Sequence, residues 1–300
     1  MSVIVTQTIR TSLKATLDSI VTDELKQSLE WEDCGFRVTN TTDAYIDDQE
    51  LAGTGPAQPK AQGATIAVDS IQEGYSTRYN MTAFGQRMIF SEEAIRDRKY
   101  EKFTDATGNL TRALKLTQEL EAASVFINAF SSGSPGGDLV SLCNASHPLV
   151  KGAGTYSNTM ATNLSFSETG VETMSINMRK LPGPNGYVTN GYMLKKLVLP
   201  EEYRFRARRI LKSEQQNDTN NNAINALKED KITFTTNVYF TSATNWWGIS
   251  SAKNGLRFVW RDKPEFREDN TNSNYTIEYT SYERFAVGWT DPRGVYGSSI

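Results

Sequence analysis

The chain has 300 residues, a formal net charge of -3, one histidine and two cysteines. That length can bury one substantial core or two smaller ones, and the acidic balance argues against a protein built mainly around a positive field that grips nucleic acid. Cys34 and Cys143 are too few for a disulfide scaffold and form no CxxC pair, which predicts buried free thiols in a reducing compartment.

The opening MSVIVTQTIRTSLKATL has a short apolar run without a small-residue cleavage pattern, so no signal peptide is expected. No segment approaches the roughly 18 to 20 apolar residues that cross a bilayer, and no membrane partner is expected. Leu13, Leu17 and Ile20, continued by Leu25 and Leu29, predict a helix over 12–29. The segment after Thr41 has glycines, prolines and small polar residues, so its centre, Leu51 to Gly63, reads as an exposed excursion between extended flanks. From Ser76 to Phe90 the run STRYNMTAFGQRMIF suits a strand. With the extended residues before Leu51 it forms a two-stranded arm that needs a neighbour to rest on.

Thr104 to Phe130 is the strongest helix candidate: Leu110, Leu114, Leu116, Leu120, Ala123 and Ile127 form its apolar side, and Arg112, Lys115, Glu119 and Glu121 take the polar positions. Gly- and Pro-containing loops follow. Ser165 and Glu168 have capping-box spacing ahead of a helix over 167–180, which Leu181-Pro182-Gly183-Pro184 stops. Leu194 to Leu199 reads as a short buried strand, and Pro200 opens a helix with Glu201 and Glu202 at its positive end. The polar run SEQQNDTNNN is expected to face solvent. Strands return at 232–241, 256–260 and 275–289, and four of the five tryptophans, Trp246, Trp247, Trp260 and Trp289, lie among them. The order is α+β rather than a βαβ alternation.

Little in this inventory carries chemistry. His147 lies among loop residues without an identifiable nucleophile or orienting acid, so packing is preferred to general-base use. One histidine and two distant cysteines make no metal-ligand spacing, and no phosphate-binding glycine motif occurs. Paired acids such as Asp47, Asp48 and Glu50 read as surface charge rather than a glycosidase pair. Arg204, Arg208 and Lys212 share one face of the helix after Pro200, among Arg206, Arg209, Tyr203 and Phe205, in a pattern suited to phosphates or to acids across an interface. The sequence therefore predicts no enzyme and no cofactor.

Three blocks carry a family resemblance. The first runs through Gly255-Leu256-Arg257-Phe258-Val259-Trp260-Arg261, Pro264-Glu265-Phe266, Thr276-Ile277-Glu278-Tyr279, Tyr282-Glu283-Arg284-Phe285-Ala286-Val287-Gly288-Trp289 and Asp291-Pro292-Arg293-Gly294-Val295-Tyr296-Gly297. The second is Ser146-His147-Pro148 with Tyr156-Ser157-Asn158 and Asn163-Leu164-Ser165, and the third is Lys196 to Leu211. In this order, across about 70–297, they resemble the major capsid proteins of tailed bacteriophages with the HK97-like fold, particularly the subgroup similar to the Mu major head subunit.

The resemblance implies an N-terminal arm and helix over 1–40, an E-loop over 41–85 and a peripheral domain with a long spine helix over 86–189. It further implies an axial domain over 190–245, peripheral return strands over 246–290 and a C-terminal axial segment over 291–300. It also implies self-assembly, as pentamers and hexamers, into an icosahedral shell around double-stranded DNA held without sequence specificity. Portal, scaffolding and decoration proteins are the implied partners, and the implied location is the phage head, assembled in the bacterial cytoplasm. Leu51, Lys60, Arg204, Arg208, Lys212, Trp260, Glu283, Arg284 and Trp289 are the candidate subunit-interface residues. Lys60 sits near the E-loop tip, where ordinary contacts are expected rather than a cross-link. A non-enzymatic binding or adhesin-like protein with exposed aromatic loops is the alternative.

Overall fold

The computed structural model describes residues 19–91, 93, 100–152, 154–161, 164–188, 191–215, 224–252, 254–269 and 276–300. Of the helix expected over 12–29, residues 19–25 are helical, 26–29 are not, and 12–18 lie outside the described residues, as does most of the polar run after Ser213.

Two four-stranded sheets organise the chain. The first has the order β1-β10-β11-β4, from Arg37–Asn40 (β1), Leu256–Asp269 (β10), Thr276–Trp289 (β11) and Thr82–Ser91 (β4). β1 runs parallel to β10 and the other pairs are antiparallel. β10 does not stop at Trp260 but continues to Asp269 through register shifts between Trp260 and Asp262 and between Asp262 and Glu265. Pro264 cannot donate to a ladder, and an irregular stretch is where a strand tolerates it.

Against this sheet lies helix α1, Tyr100–Ile127. At 1.5 Å per residue it is about 42 Å long. Leu110, Leu114 and Ala123 are buried as the apolar spacing requires, whereas Leu116 and Leu120 are exposed. Lys115 and Glu119, expected on the solvent side, are buried, together with Thr107, Thr111 and Gln118. The N-terminal segment clasps this face: the Lys115 ammonium donates to the Glu24 and Gln27 carbonyls, and the Glu119 carboxylate accepts from the amides of Glu30 at 2.6 Å and Trp31 at 3.1 Å. A buried polar face is stable when its groups find partners, which periodicity does not register.

The second sheet has the order β12-β9-β7-β8, from Val295–Ser298 (β12), Trp246–Ser250 (β9), Leu194–Pro200 (β7) and Thr233–Asn237 (β8). Its two faces enter two different cores. Alternation sends Leu197, Leu199 and Trp246 into a core shared with α2 (Glu168–Arg179) and α3 (Arg204–Lys212). It sends Val198, Trp247 and Ile249 the other way, into a core with Trp31, Phe126, Phe258 and Phe285. Trp246 and Trp247 are 0% and 1% exposed, so adjacent tryptophans join the two cores through one strand. Gly248 follows them on the Trp246 side, where a side chain would meet Met174 Sδ at 2.5 Å and Leu194 Cδ1 at 2.7 Å. The switch from this sheet to the first falls between Ser250 and Leu256, not at 246.

Helix α2 is capped by Ser167, whose Oγ accepts from the Gly170 amide at 3.1 Å, rather than by Ser165. Ser167→Ala is expected to lower stability by about 1 kcal/mol, read as a shift of the urea midpoint without a change of slope. Both cysteines are free and buried, and burial pushes the Cys34 thiol up to about 12.

Candidate assembly surface

β2 (Tyr45–Ala52) and β3 (Gln72–Asn80) form a separate two-stranded ladder, with residues 53–71 connecting them. The strand expected over 76–90 is thus two strands, β3 and β4, divided at Met81. Apolar groups stand in water on this arm: Leu51 near the end of β2 is 61% exposed, and in the connection Ile66 is 76%, Val68 97% and Ile71 66% exposed. Lys60 is exposed on the same excursion. Large exposed apolar groups are the kind of surface that protein contacts use.

The ladder is anchored at its base by buried charge. Arg293, 1% exposed, donates through Nη1 to Glu50 Oε1 at 2.5 Å and Asp291 Oδ1 at 3.1 Å, and through Nε to the Pro182 carbonyl at 2.8 Å. Its guanidinium lies 4.3 Å from the centre of the Tyr156 ring. Burial pushes the Glu50 carboxyl up to about 7 against the pull of Arg293, with Asp291 adding to the rise. Asp48 pairs with Arg257 at 2.8 Å, and the Tyr79 hydroxyl meets Thr290 Oγ1 at 2.8 Å. Further out, Lys151 pairs with Asp69 at 2.6 Å and Asn185 donates to the Thr54 carbonyl at 3.0 Å. Asp48 and Glu50, read from sequence as surface charge, thus help moor the hairpin.

His147 is wholly buried, not a base open to a substrate. Its Nδ1 lies 2.6 Å from Asp138 Oδ2, and Nε2 lies 3.1 Å from Asn158 Oδ1. The Asn158 amide donates to the carbonyls of Leu142, Pro292 and Val295, so the group ties the loop after α1 to the C-terminal turn. Among the described residues no His/Cys/Asp/Glu cluster could hold a metal, and no helix is long and apolar enough to cross a membrane.

The remaining candidates divide between surface and interior. Arg204, Arg208 and Lys212 are exposed along α3. Trp260 is 8% exposed, against Phe258 at 4.9 Å and Phe285 at 5.3 Å, and Glu283 is 0% exposed, accepting from Gln118 Nε2 at 2.7 Å. Both side chains are buried within the subunit. Arg284 and Trp289 are half-buried, Trp289 against Gly136.

A family model for phage capsid protein matches residues 74–298. The chain belongs to the phage capsid protein family. That match runs from within β3 to the end of β12 and takes in α1, α2, α3 and every strand of the two four-stranded sheets except β1. Among solved structures, the chain is similar to the procapsid of bacteriophage JBD30 at 12% identity, covering 98% of this chain and 75% of that one, with a TM-score of 0.54. It is likewise similar to the Microbacterium phage Oxtober96 structure at 10% identity, 92% and 91% coverage and 0.54, and to the capsid of Myoviridae phage XM1 at 13%, 90% and 91%, and 0.51. No curated protein matches the chain. The capsid subunit thus has the HK97-like fold, and it is a major capsid protein that forms a phage shell.

Proposed function

We propose that this capsid subunit builds an icosahedral head from pentamers and hexamers, with the β2–β3 hairpin as its principal reach toward neighbouring copies. The observation that carries this reading is the projecting loop with Ile66, Val68 and Ile71 in water, held at its base by the Arg293 charge cluster. In this reading residues 41–85 are the E-loop and α1 is the spine helix. β7, β8, α3, β9 and β12 make the axial region, and β1, β4, β10 and β11 the peripheral one. Leu51, Lys60, Arg284 and Trp289 face or border subunit contacts, while Trp260 and Glu283 act through the subunit's shape. The subunit is placed in the Mu-like subgroup and assembles in the host cytoplasm with portal, scaffolding and decoration proteins. It encloses double-stranded DNA and has no catalytic role.

The test is assembly itself. Expression with its assembly partners should give uniform isometric particles in negative stain, and Ile66→Asp with Val68→Asp should abolish them while leaving a folded subunit with an unchanged melting temperature. Uniformly monomeric wild-type protein under those conditions would sink the reading.

A further inference from the structure

Many cations outside α3 are paired with an acid of the same subunit, among them Arg78 with Asp47, Arg87 with Glu278, Arg112 with Glu24, Lys151 with Asp69, Lys196 with Asp33, Arg257 with Asp48 and Arg267 with Glu265. α3 departs from this pattern. Its nine residues, RFRARRILK, hold five cations and no acid. Ala207, Ile210 and Leu211 take the buried side, and Arg204, Arg206, Arg208, Arg209 and Lys212 occupy the rest of the circumference. Among the described residues, only Arg204 has an acid at ion-pair distance, Glu201 at 2.8 Å.

The arrangement costs the helix stability, because Arg204, Arg208 and Lys212 repel one another at steps of four. A 3₁₀ turn with Glu201 and Glu202 runs straight into α3, so acids meet the positive helix end, and Arg209 and Lys212 suit the negative one. The row of like charges between them is not explained by the dipole. An anion from outside the subunit would offset its repulsion.

We propose that the outer face of α3 is a contact for the phosphate backbone of duplex DNA, bound without regard to sequence. This rests on the reading of the chain as the wall of a DNA-filled head. α3 is about 13 Å long, and a duplex carries one charge per about 1.7 Å of its axis, so a duplex lying along the helix offers several phosphates to the cations on the side that faces it. The face is convex, with Phe205, 69% exposed, as its one aromatic. Single-strand binding uses a groove with several stacking rings, so this face suits a duplex.

The full-length subunit before assembly is titrated into fluorescent 20-base-pair duplexes of two unrelated sequences, and into a single strand, between about 50 and 200 mM salt. Equal affinity for the two duplexes is expected, with a log-log salt slope that becomes shallower by about 2 to 3 in R206Q/R209Q/K212Q and by about 1 in R209Q alone. R206K/R209K should retain the wild-type slope. An unchanged slope in the triple variant, or tighter binding to the single strand, overturns the proposal. So does loss of particles in the triple variant with duplex binding intact, which would assign the face to a neighbouring copy. Negative stain of the wild type reads the shell hypothesis independently: particles without α3-dependent DNA binding sink this inference alone, and DNA binding without particles sinks the shell reading.

Discussion

Arg293→Met is expected to destabilise the subunit by about 3 to 5 kcal/mol, the cost of leaving buried acids without their partner. In the folded subunit one guanidinium serves three chain segments: Glu50 from the hairpin, Asp291 from the C-terminal turn and the Pro182 carbonyl from the loop after α2. Methionine fills much of the volume but leaves Glu50 and Asp291 as like charges in a dry site. The pH dependence has a definite sign. The Glu50 carboxyl already sits at about 7 because of burial, and without Arg293 it rises further. The variant is then least penalised near pH 5, where Glu50 is protonated, and most penalised near pH 8, where it must ionise unpaired. Urea midpoints at both pH values read this directly. Arg293→Met with Glu50→Gln should recover part of the loss at pH 8 and little at pH 5. Equal losses at both pH values would mean that packing, not charge, holds the hairpin. Particle yield should fall with stability, since β2 loses its tie to the C-terminal turn.

The contrast between what was and was not legible in the sequence follows from how each feature is encoded. α2, β7 and α3 follow from spacing and caps, because local periodicity and turn residues specify them. The exposed excursion between Leu51 and Gly63 follows from its lack of large apolar groups. β1 is four residues long and gains its identity only by pairing with β10 across more than 200 positions, so nothing local announces it. β9 is hidden for a related reason: WWGIS is buried on both faces, and a strand buried on both sides has no alternation to read. The mooring cluster is harder still. Glu50, Asp291 and Arg293 look like ordinary surface charge until the fold removes water from them. The one available signal was that Asp291, Pro292 and Arg293 belong to the C-terminal block on which the family resemblance rests. Lys115 and Glu119 were misplaced on α1 because a charged side chain reads as solvent-facing, whereas here backbone groups of the N-terminal segment satisfy both.

Glu283→Gln is expected to stabilise the subunit, and only toward neutral and alkaline pH. Glu283 points from β11 into the seam beneath α1, where Gln118 Nε2 donates to Oε2 and no partner among the described residues meets Oε1. Burial pushes its carboxyl from the ordinary 4.5 up to about 7, with the Gln118 hydrogen bond opposing the rise. A folded-state value above the unfolded one means that the folded subunit holds the proton more tightly. Its contribution to stability is therefore fully present below about pH 4.5 and is lost as pH rises through about 7. Full loss corresponds to about 3 kcal/mol as an upper bound. Glutamine has the shape of the protonated acid, keeps an acceptor for Gln118 and never ionises. The variant should match the wild type below pH 4.5 and exceed it by up to about 3 kcal/mol at pH 8, read from urea midpoints across that range. Burial pushes Glu50 and Glu119 to about 7 as well, so the wild-type profile is the sum of three such losses, and Glu283→Gln removes one of them. A gain that is the same at pH 5 and pH 8 would show that the substitution acts through packing. No gain at pH 8 would show that Glu283 is ionised at little cost, and that the seam beneath α1 admits water.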